Sequence, residues 1–322
     1  MIDYKILKQQ LELLPQSTVV LIAGHKNADY DSITSCIALA KILSKLGYTA
    51  YALIEKADMD KTYWLDTSCV LNTYDENQEF NFIMLDANRK ERLGRFEQLF
   101  DNARTTICID HHEGGNNESK YSFIDKDISS TAEIISHLAN EIDDPLHNSI
   151  LDEEISTLLY AGIAADTNSF YKRVTSQTML VASMLLYHGA NGTFAIKNVC
   201  KNLCLREATI LSKMFNNIQF DSFHYVVLDR HDDFFKDIPY STIFKKCAAY
   251  LYELIDVNVF GLFLIELDGS VSGVLRSNCD INVDGLATEF GGGGHKKAAG
   301  FETYENIETI LAKVKSYVQE QM

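Results

Sequence analysis

The stretch TVVLIAGHKNADYDS, residues 18–32, sets the architecture. Six residues, Thr18 to Ala23, run apolar without the polar alternation of a half-exposed strand, so both faces of this strand are covered, as in a parallel sheet. A glycine and a polar turn follow, and the amphipathic stretch Ile33 to Leu46, closed by Gly47, then reads as a helix. Strand, turn and helix recur outward from this point: strands are predicted at 49–54, 82–86 and 105–110, with a helix at 92–100. That rhythm predicts a parallel sheet covered by helices on both faces.

Helices dominate from Thr131 to His188, until Gly189, Asn191 and Gly192 interrupt the pattern. Beyond it come predicted helices at 205–215, 243–255 and 305–319 and strands at 225–229, 259–266 and 270–275. The fold class is therefore α/β throughout. The expected organisation is an N-terminal domain over 1–189, a connector over 190–201 and a smaller α/β domain over 202–322.

Lys and Arg number 29 against 45 Asp and Glu in 322 residues, a net charge of −16. Long nucleic acids are poor partners for such a chain, because their binding rests on many Lys and Arg contacts to phosphate. No segment reaches the ~18 consecutive apolar residues of a membrane span, and MIDYKILKQQ shows no apolar signal core. The seven cysteines are scattered, without a CxxC pair, as in a reducing compartment. A cytoplasmic protein without membrane contact is expected, and pairing with a second copy is left open.

Four motifs place Asp and His where an open α/β sheet binds ligands, at the carboxyl ends of strands. The first is GHKNADYDS, 24–32, with His25, Asp29 and Asp31. Here Asp31 or Ser32 could equally cap the helix. The second is MLDAN, 84–88, where Asp86 ends an apolar run. The third is ICIDHHEGG, 107–115, with Asp110, His111 and His112. The fourth is YAGIAADTNSF, 160–170, in which an apolar helix reaches Asp166. Oxygen and nitrogen donors of this kind suit Mn²⁺, Mg²⁺, Fe²⁺ or Zn²⁺, and their number suffices for two ions sharing a carboxylate. His137, His147, His188 and His224 occur singly and read as ordinary structural or surface residues.

A fifth feature combines SGVLRSN, 272–278, with GGGGHKKAAG, 291–300. Four successive glycines would let backbone amides approach a phosphate, Arg276 offers a planar fork, and His295 adds a donor. No GxxxxGK[ST] loop is present.

With these motifs the sequence resembles the DHH phosphoesterase superfamily, in the subfamily whose second domain is called DHHA1. The name-giving triplet stands as Asp110, His111 and His112, and GGGGHKKAAG matches the DHHA1 hallmark. Length and layout further resemble the bacterial nano-RNase/pAp-phosphatase group. The resemblance implies two Mn²⁺ ions, with Mg²⁺ or another divalent ion as substitutes. It implies that His25, Asp29 and Asp86 hold one ion and Asp31, Asp86, His111 and Asp166 the other. Asp110 would then orient a ligand, and His112 would contact the reacting phosphate. Arg276, Ser277, Gly292, Gly293, Gly294 and His295 would grip the substrate, a short oligonucleotide, a dinucleotide or pAp, in a cleft between the domains. The chain departs from the family pattern at Ala28, where proline is common, at Tyr30, where a small residue is common, and at Asn168, in the place of a glycine.

Hydrolysis of cyclic dinucleotides could use the same site, and a non-catalytic nucleotide sensor is the reading from another class. A family II pyrophosphatase would carry a different second domain, and a RecJ-like exonuclease would need a longer chain and a basic channel.

Overall fold

The computed structural model describes residues 2–114, 118–143, 149–200, 204–240, 242–252, 254 and 257–321; His147 and residues 201–203, where the expected connector meets the expected second domain, lie outside them. The chain forms two compact units, 1–202 and 203–322.

Unit 1 is built on six strands, β1 (Val19–Ala23), β2 (Ala50–Leu53), β3 (Val70–Leu71), β4 (Phe80–Leu85), β5 (Thr106–Asp110) and β6 (Tyr121–Ile124). They lie in the order β3-β2-β1-β4-β5-β6, every pair parallel. Its helices are α1 (Tyr4–Glu12), α2 (Tyr30–Lys45), α3 (Glu97–Asn102), α4 (Thr131–Ile142), α5 (Glu153–Asp166), α6 (Ser176–Tyr187) and α7 (Gly192–Val199). Side chains of α1, α2, α4 and α5 pack on one sheet face around Ile22, Ile83 and Ile109. Leu93, Phe96 and α3 cover Leu21, Phe82 and Met84 on the other. All of β4 is buried, as its unbroken apolar run requires.

Three local expectations need correction. The helix expected at 92–100 is a 3₁₀ segment, Lys90–Phe96, followed by α3, because Gly94 turns to a φ of +58° and breaks it. The cap of α2 is Asp29, which accepts from Ser32 N at 3.0 Å, rather than Asp31 or Ser32. Residues 192–199, placed in a connector, form α7 inside unit 1, with Ala195 fully buried.

Unit 2 has strands β7 (Gln219–Phe220), β8 (His224–Asp229), β9 (Val259–Ile265), β10 (Val271–Ser277), β11 (Gly293–His295) and β12 (Ala298–Thr303), in the order β11-β12-β10-β9-β8-β7. All pairs are antiparallel except β8 with β9. Helix α8 (Leu205–Asn216) and the helical segment 242–252, which ends in α9 (Ala248–Tyr252), enclose one core. Helices α10 (Val283–Glu289) and α11 (Ile307–Gln321) enclose the other. Among the described residues, no single helix is long and apolar enough to cross a membrane.

Candidate metal centre

Chain order reverses between β1 and β4: β2 lies on one side of β1 and β4 on the other. A crevice opens outside the carboxyl ends of strands at such a point. Into it run the turn after β1 with His25 and Asp29, Asp86 directly after β4, and Asp110, His111 and His112 at the end of β5. Asp166 arrives from the last turn of α5. The structure thus brings together all eight Asp and His residues singled out in unit 1.

Asp86 is at the middle. Its Oδ2 lies 3.4 Å from His25 Nε2, and its Oδ1 lies 3.4 Å from His111 Nε2 and 3.6 Å from His112 Nδ1. His25 Nε2 is also 3.7 Å from Asp29 Oδ2, and His111 Nε2 is 3.4 Å from Asp166 Oδ2. These separations exceed the ~2.7–2.9 Å of a charge-assisted hydrogen bond. The three at 3.4 Å match two donors sharing a cation, since bonds of about 2.1 Å at 90–110° set ligands roughly 3.0–3.5 Å apart, and the other two are slightly wider. His111 Nε2 is buried with no hydrogen-bond partner, which a structural histidine would avoid. Three groups could hold an ion: His25, Asp29 and Asp86; Asp31, His111 and Asp166; and Asp86, Asp110, His111 and His112. The donor set therefore fits divalent cations.

The electrostatics agree. Burial pulls Asp86 upward, but His111 and His25 outweigh it and hold its carboxyl well below the usual carboxylate range. Burial works against a charged His25, yet Asp29 and Asp86 overcome it and bring its pKa up to about 10. His111 is likewise carried to about 9, burial being outweighed by Asp86 and the neighbouring carboxylates. Burial, with repulsion from Asp86 and Asp166, raises Asp31, and burial lifts Asp166 to about 6. Without added positive charge, the cluster recruits protons in its place.

Asp31 is held differently from the others. Its oxygens accept from Thr131 N at 2.8 Å and Ala132 N at 2.9 Å, the first amides of α4, whose cap is Ser130. Thr131 Oγ1 donates to Asp86 Oδ1 at 3.1 Å. Asp110 accepts from His111 N and from His112 Nδ1, both at 2.8 Å, which fixes the His112 ring.

Several contributors were not legible in the motifs. Asp58 Oδ2 accepts from Ala28 N at 3.0 Å, while Lys61 Nζ donates to Ala28 O at 2.6 Å and Asp58 Oδ1 at 2.7 Å. Both polar groups of the residue before Asp29 are thereby clamped from the segment Lys56–Thr62. Gly162 of α5 leaves room for the centre: a Cβ there would lie 2.6 Å from Ala132 Cβ and 2.8 Å from Asp31 Oδ1. Arg173 brings a guanidinium nitrogen to 3.4 Å from His111 Nδ1. Only Gly162 and Arg173 carried a sequence signal, as neighbours of Asp166. Asn168, where the family has glycine, has a φ of +48°, a left-handed conformation that Asn tolerates better than most residues.

The expected substrate contacts lie in unit 2 and are not all alike. The Arg276 guanidinium stacks 4.6 Å over the Tyr252 ring. Ser277, next on β10, is buried and donates to Cys279 O at 2.9 Å, on the opposite face of the strand. The glycine run is a hairpin strand rather than an open loop: Gly293, Gly294 and His295 pair with Gly300, Ala299 and Ala298, and Lys296 and Lys297 make the turn. Gly291 needs its φ of +81°; a Cβ on Gly292 or Gly294 would strike the backbone of Gly300 or Ala298. Gly293, Gly294 and His295 stay exposed.

The family model described as "DHH family, N-terminal domain" matches residues 19–163, and the "DHHA1 domain" model matches 236–320. The probable bifunctional oligoribonuclease and PAP phosphatase NrnA of Streptococcus mutans is 26% identical over 90% of this chain and 91% of its own. The cyclic-di-AMP phosphodiesterase GdpP of Geobacillus thermodenitrificans is 26% identical over 88% of this chain, which spans 44% of that protein. Among solved structures, an exopolyphosphatase-related protein from Bacteroides fragilis superposes with a TM-score of 0.81 at 19% identity, covering 98% of this chain and 95% of its own. The chain belongs to the DHH family of phosphoesterases, metal-dependent hydrolases, in the branch that carries a DHHA1 domain.

Proposed function

We propose that this phosphoesterase hydrolyses short linear oligoribonucleotides and dinucleotides to 5′-mononucleotides, removes the 3′-phosphate of pAp, and works with two Mn²⁺ ions in the cytoplasm. The observation that carries the reading is Asp86, whose two oxygens face separate sets of histidines and carboxylates. His25, Asp29 and Asp86 would hold one ion, and Asp31, Asp86, His111 and Asp166 the other. When bound, such a pair lowers the pKa of a water and screens phosphate charge. Asp110 fixes the His112 ring, whose Nδ1 is engaged, so that its other nitrogen is left for a phosphate oxygen. Arg276, Ser277, Gly292, Gly293, Gly294 and His295 remain the proposed substrate contacts; Gly292 and Gly294 also let their backbone lie close to β12. The likeness to NrnA over nine tenths of both chains supports the substrate class, and the charge of −16 opposes long polyanions. Seven free cysteines agree with a reducing compartment.

A second reading, cleavage of cyclic dinucleotides, is favoured by the likeness to GdpP. One experiment separates them. Metal-stripped protein is incubated with and without Mn²⁺ against 5′-labelled RNAs of two to twenty-four nucleotides, linear and cyclic dinucleotides, pAp and pyrophosphate. Mn²⁺-dependent mononucleotide release, fastest on the shortest linear RNAs, is expected. Preference for the cyclic dinucleotide would replace the substrate, and no turnover of any of them would remove the reading.

A further inference from the structure

Two residues past Asp86, the segment NRKERLGRF, 88–96, holds three of the chain's eight arginines, Arg89, Arg92 and Arg95. Their neighbour Lys90 pairs with Asp101 and Glu118, and the next arginine, Arg104, pairs with Glu79. The three guanidinium groups themselves form no ion pair or hydrogen bond among the described residues; Arg95 lies only over the Phe96 ring, at 5.0 Å. In a chain with 45 carboxylates, three neighbouring arginines without one need a reason.

Their place gives it. Asn88 Nδ2 donates to His112 O at 3.1 Å, and Arg89 Nη2 lies 4.0 Å from where a Cβ on Gly114 would stand, so the start of the segment is tied to the His112 turn. Its middle is tied to the His25 turn, where Lys26 N donates to Arg92 O at 2.6 Å. Leu93 and Phe96 anchor it in the core with Phe82 and Met84, which leaves Arg89 and Arg95 exposed and Arg92 half-buried. Lys26, exposed and also without an ion pair among the described residues, adds a fourth cation. A crevice lined by carboxylates and imidazoles thus has a basic rim. Guanidinium forks match phosphate oxygens in pairs, and a rim of this kind suits a ligand carrying phosphates beyond the one at the centre. Three or four contacts suit a short strand; long nucleic acids rest on more, ~6–10 in a typical complex.

We propose that Arg89, Arg92 and Arg95, with Lys26, hold the phosphates of a short RNA that lie beyond the one being cleaved. The inference rests on the substrate class proposed above, but binding tests it apart from turnover. Fluorescence anisotropy of labelled RNAs of two and six nucleotides, with Mn²⁺ present and phosphorothioate linkages to slow cleavage, is read at 50 and 200 mM salt. Each phosphate held on a single strand steepens the fall of log K with log salt by ~0.7. The longer RNA should therefore bind the wild type more tightly at 50 mM and lose ~20-fold more of its affinity by 200 mM than the dinucleotide does, as three contacts require. Arg89→Ala, Arg92→Ala and Arg95→Ala combined should abolish both differences with an unchanged circular dichroism spectrum, and the same three exchanges to Lys should keep most of them. Equal salt dependence of the two lengths in the wild type overturns the proposal without recourse to a variant, and so does an undiminished difference in the alanine variant. Displacement of the six-nucleotide RNA by tripolyphosphate more readily than by unlabelled RNA also overturns it, assigning the rim to inorganic phosphate chains. Length-dependent binding without turnover of any RNA would remove the proposed reaction and support the rim.

Discussion

Asp86 has a φ of +55°, in the left-handed region, directly after a strand buried along its whole length. Such a conformation costs a non-glycine residue roughly 1–3 kcal/mol, and here it aims both carboxylate oxygens into the crevice. At this scale the site was largely legible, because a buried strand ending in Asp or His exposes its chemistry in the local pattern. Asp58 and Lys61 were not: they reach Ala28 from some thirty residues away, across a contact with no sequence period. Lys61→Met should leave folding intact but weaken Mn²⁺ binding at the His25 and Asp29 arm by ~10-fold, with Lys61→Arg restoring it in part; titration calorimetry reads this directly. Protons give a second test. In the metal-free protein His25 and His111 rise from 6.5 to about 10 and about 9. Their pairing with the carboxylates stabilises the metal-free fold fully below pH 6.5 and is lost as pH rises through 9 to 10. A metal needs neutral imidazole, so its binding should release protons at pH 7 and weaken as pH falls. Calorimetry in buffers of different ionisation enthalpy would show proton release, and equal heats would contradict it.

Elements position these residues through close approach. Helices α2, α4 and α5 meet at Gly162, where an added Cβ would press on Ala132, Asp31 and Thr34. Gly162→Val should therefore lower stability by about 1–3 kcal/mol and displace Asp31, weakening metal binding beyond what lost stability explains; chemical denaturation and metal titration separate the two. At Asn168, already left-handed, exchange to glycine should leave stability within about 1 kcal/mol, whereas β-branched Asn168→Val should cost more. The glycine run shows where element reading ran out. Its glycines carry no side-chain alternation, so the strand Gly293–His295 left no periodic mark and read as a loop. Edge strands β3 and β6 escaped for a related reason: β3 has two residues, and β6 is only partly buried.

Across the whole molecule, the charge of −16 limits the substrates that approach it. Turnover of a dinucleotide should change less than ~10-fold between 50 and 200 mM salt, whereas six to ten phosphate contacts would cost ~10³–10⁵ in affinity. The alternation of strand and helix made the two-unit α/β plan readable from the sequence, while the end of unit 1 was not, because α7 lacks any linker-like composition to mark it. The central claim is a two-ion centre bridged by Asp86. Its most direct test is Mn²⁺ stoichiometry in this chain, by equilibrium dialysis and electron paramagnetic resonance, for the wild type and Asp86→Ala. Two coupled ions per wild-type chain, with both weakened together in Asp86→Ala, is the predicted result. A single uncoupled ion in the wild type, or two ions bound unchanged by Asp86→Ala, would contradict it.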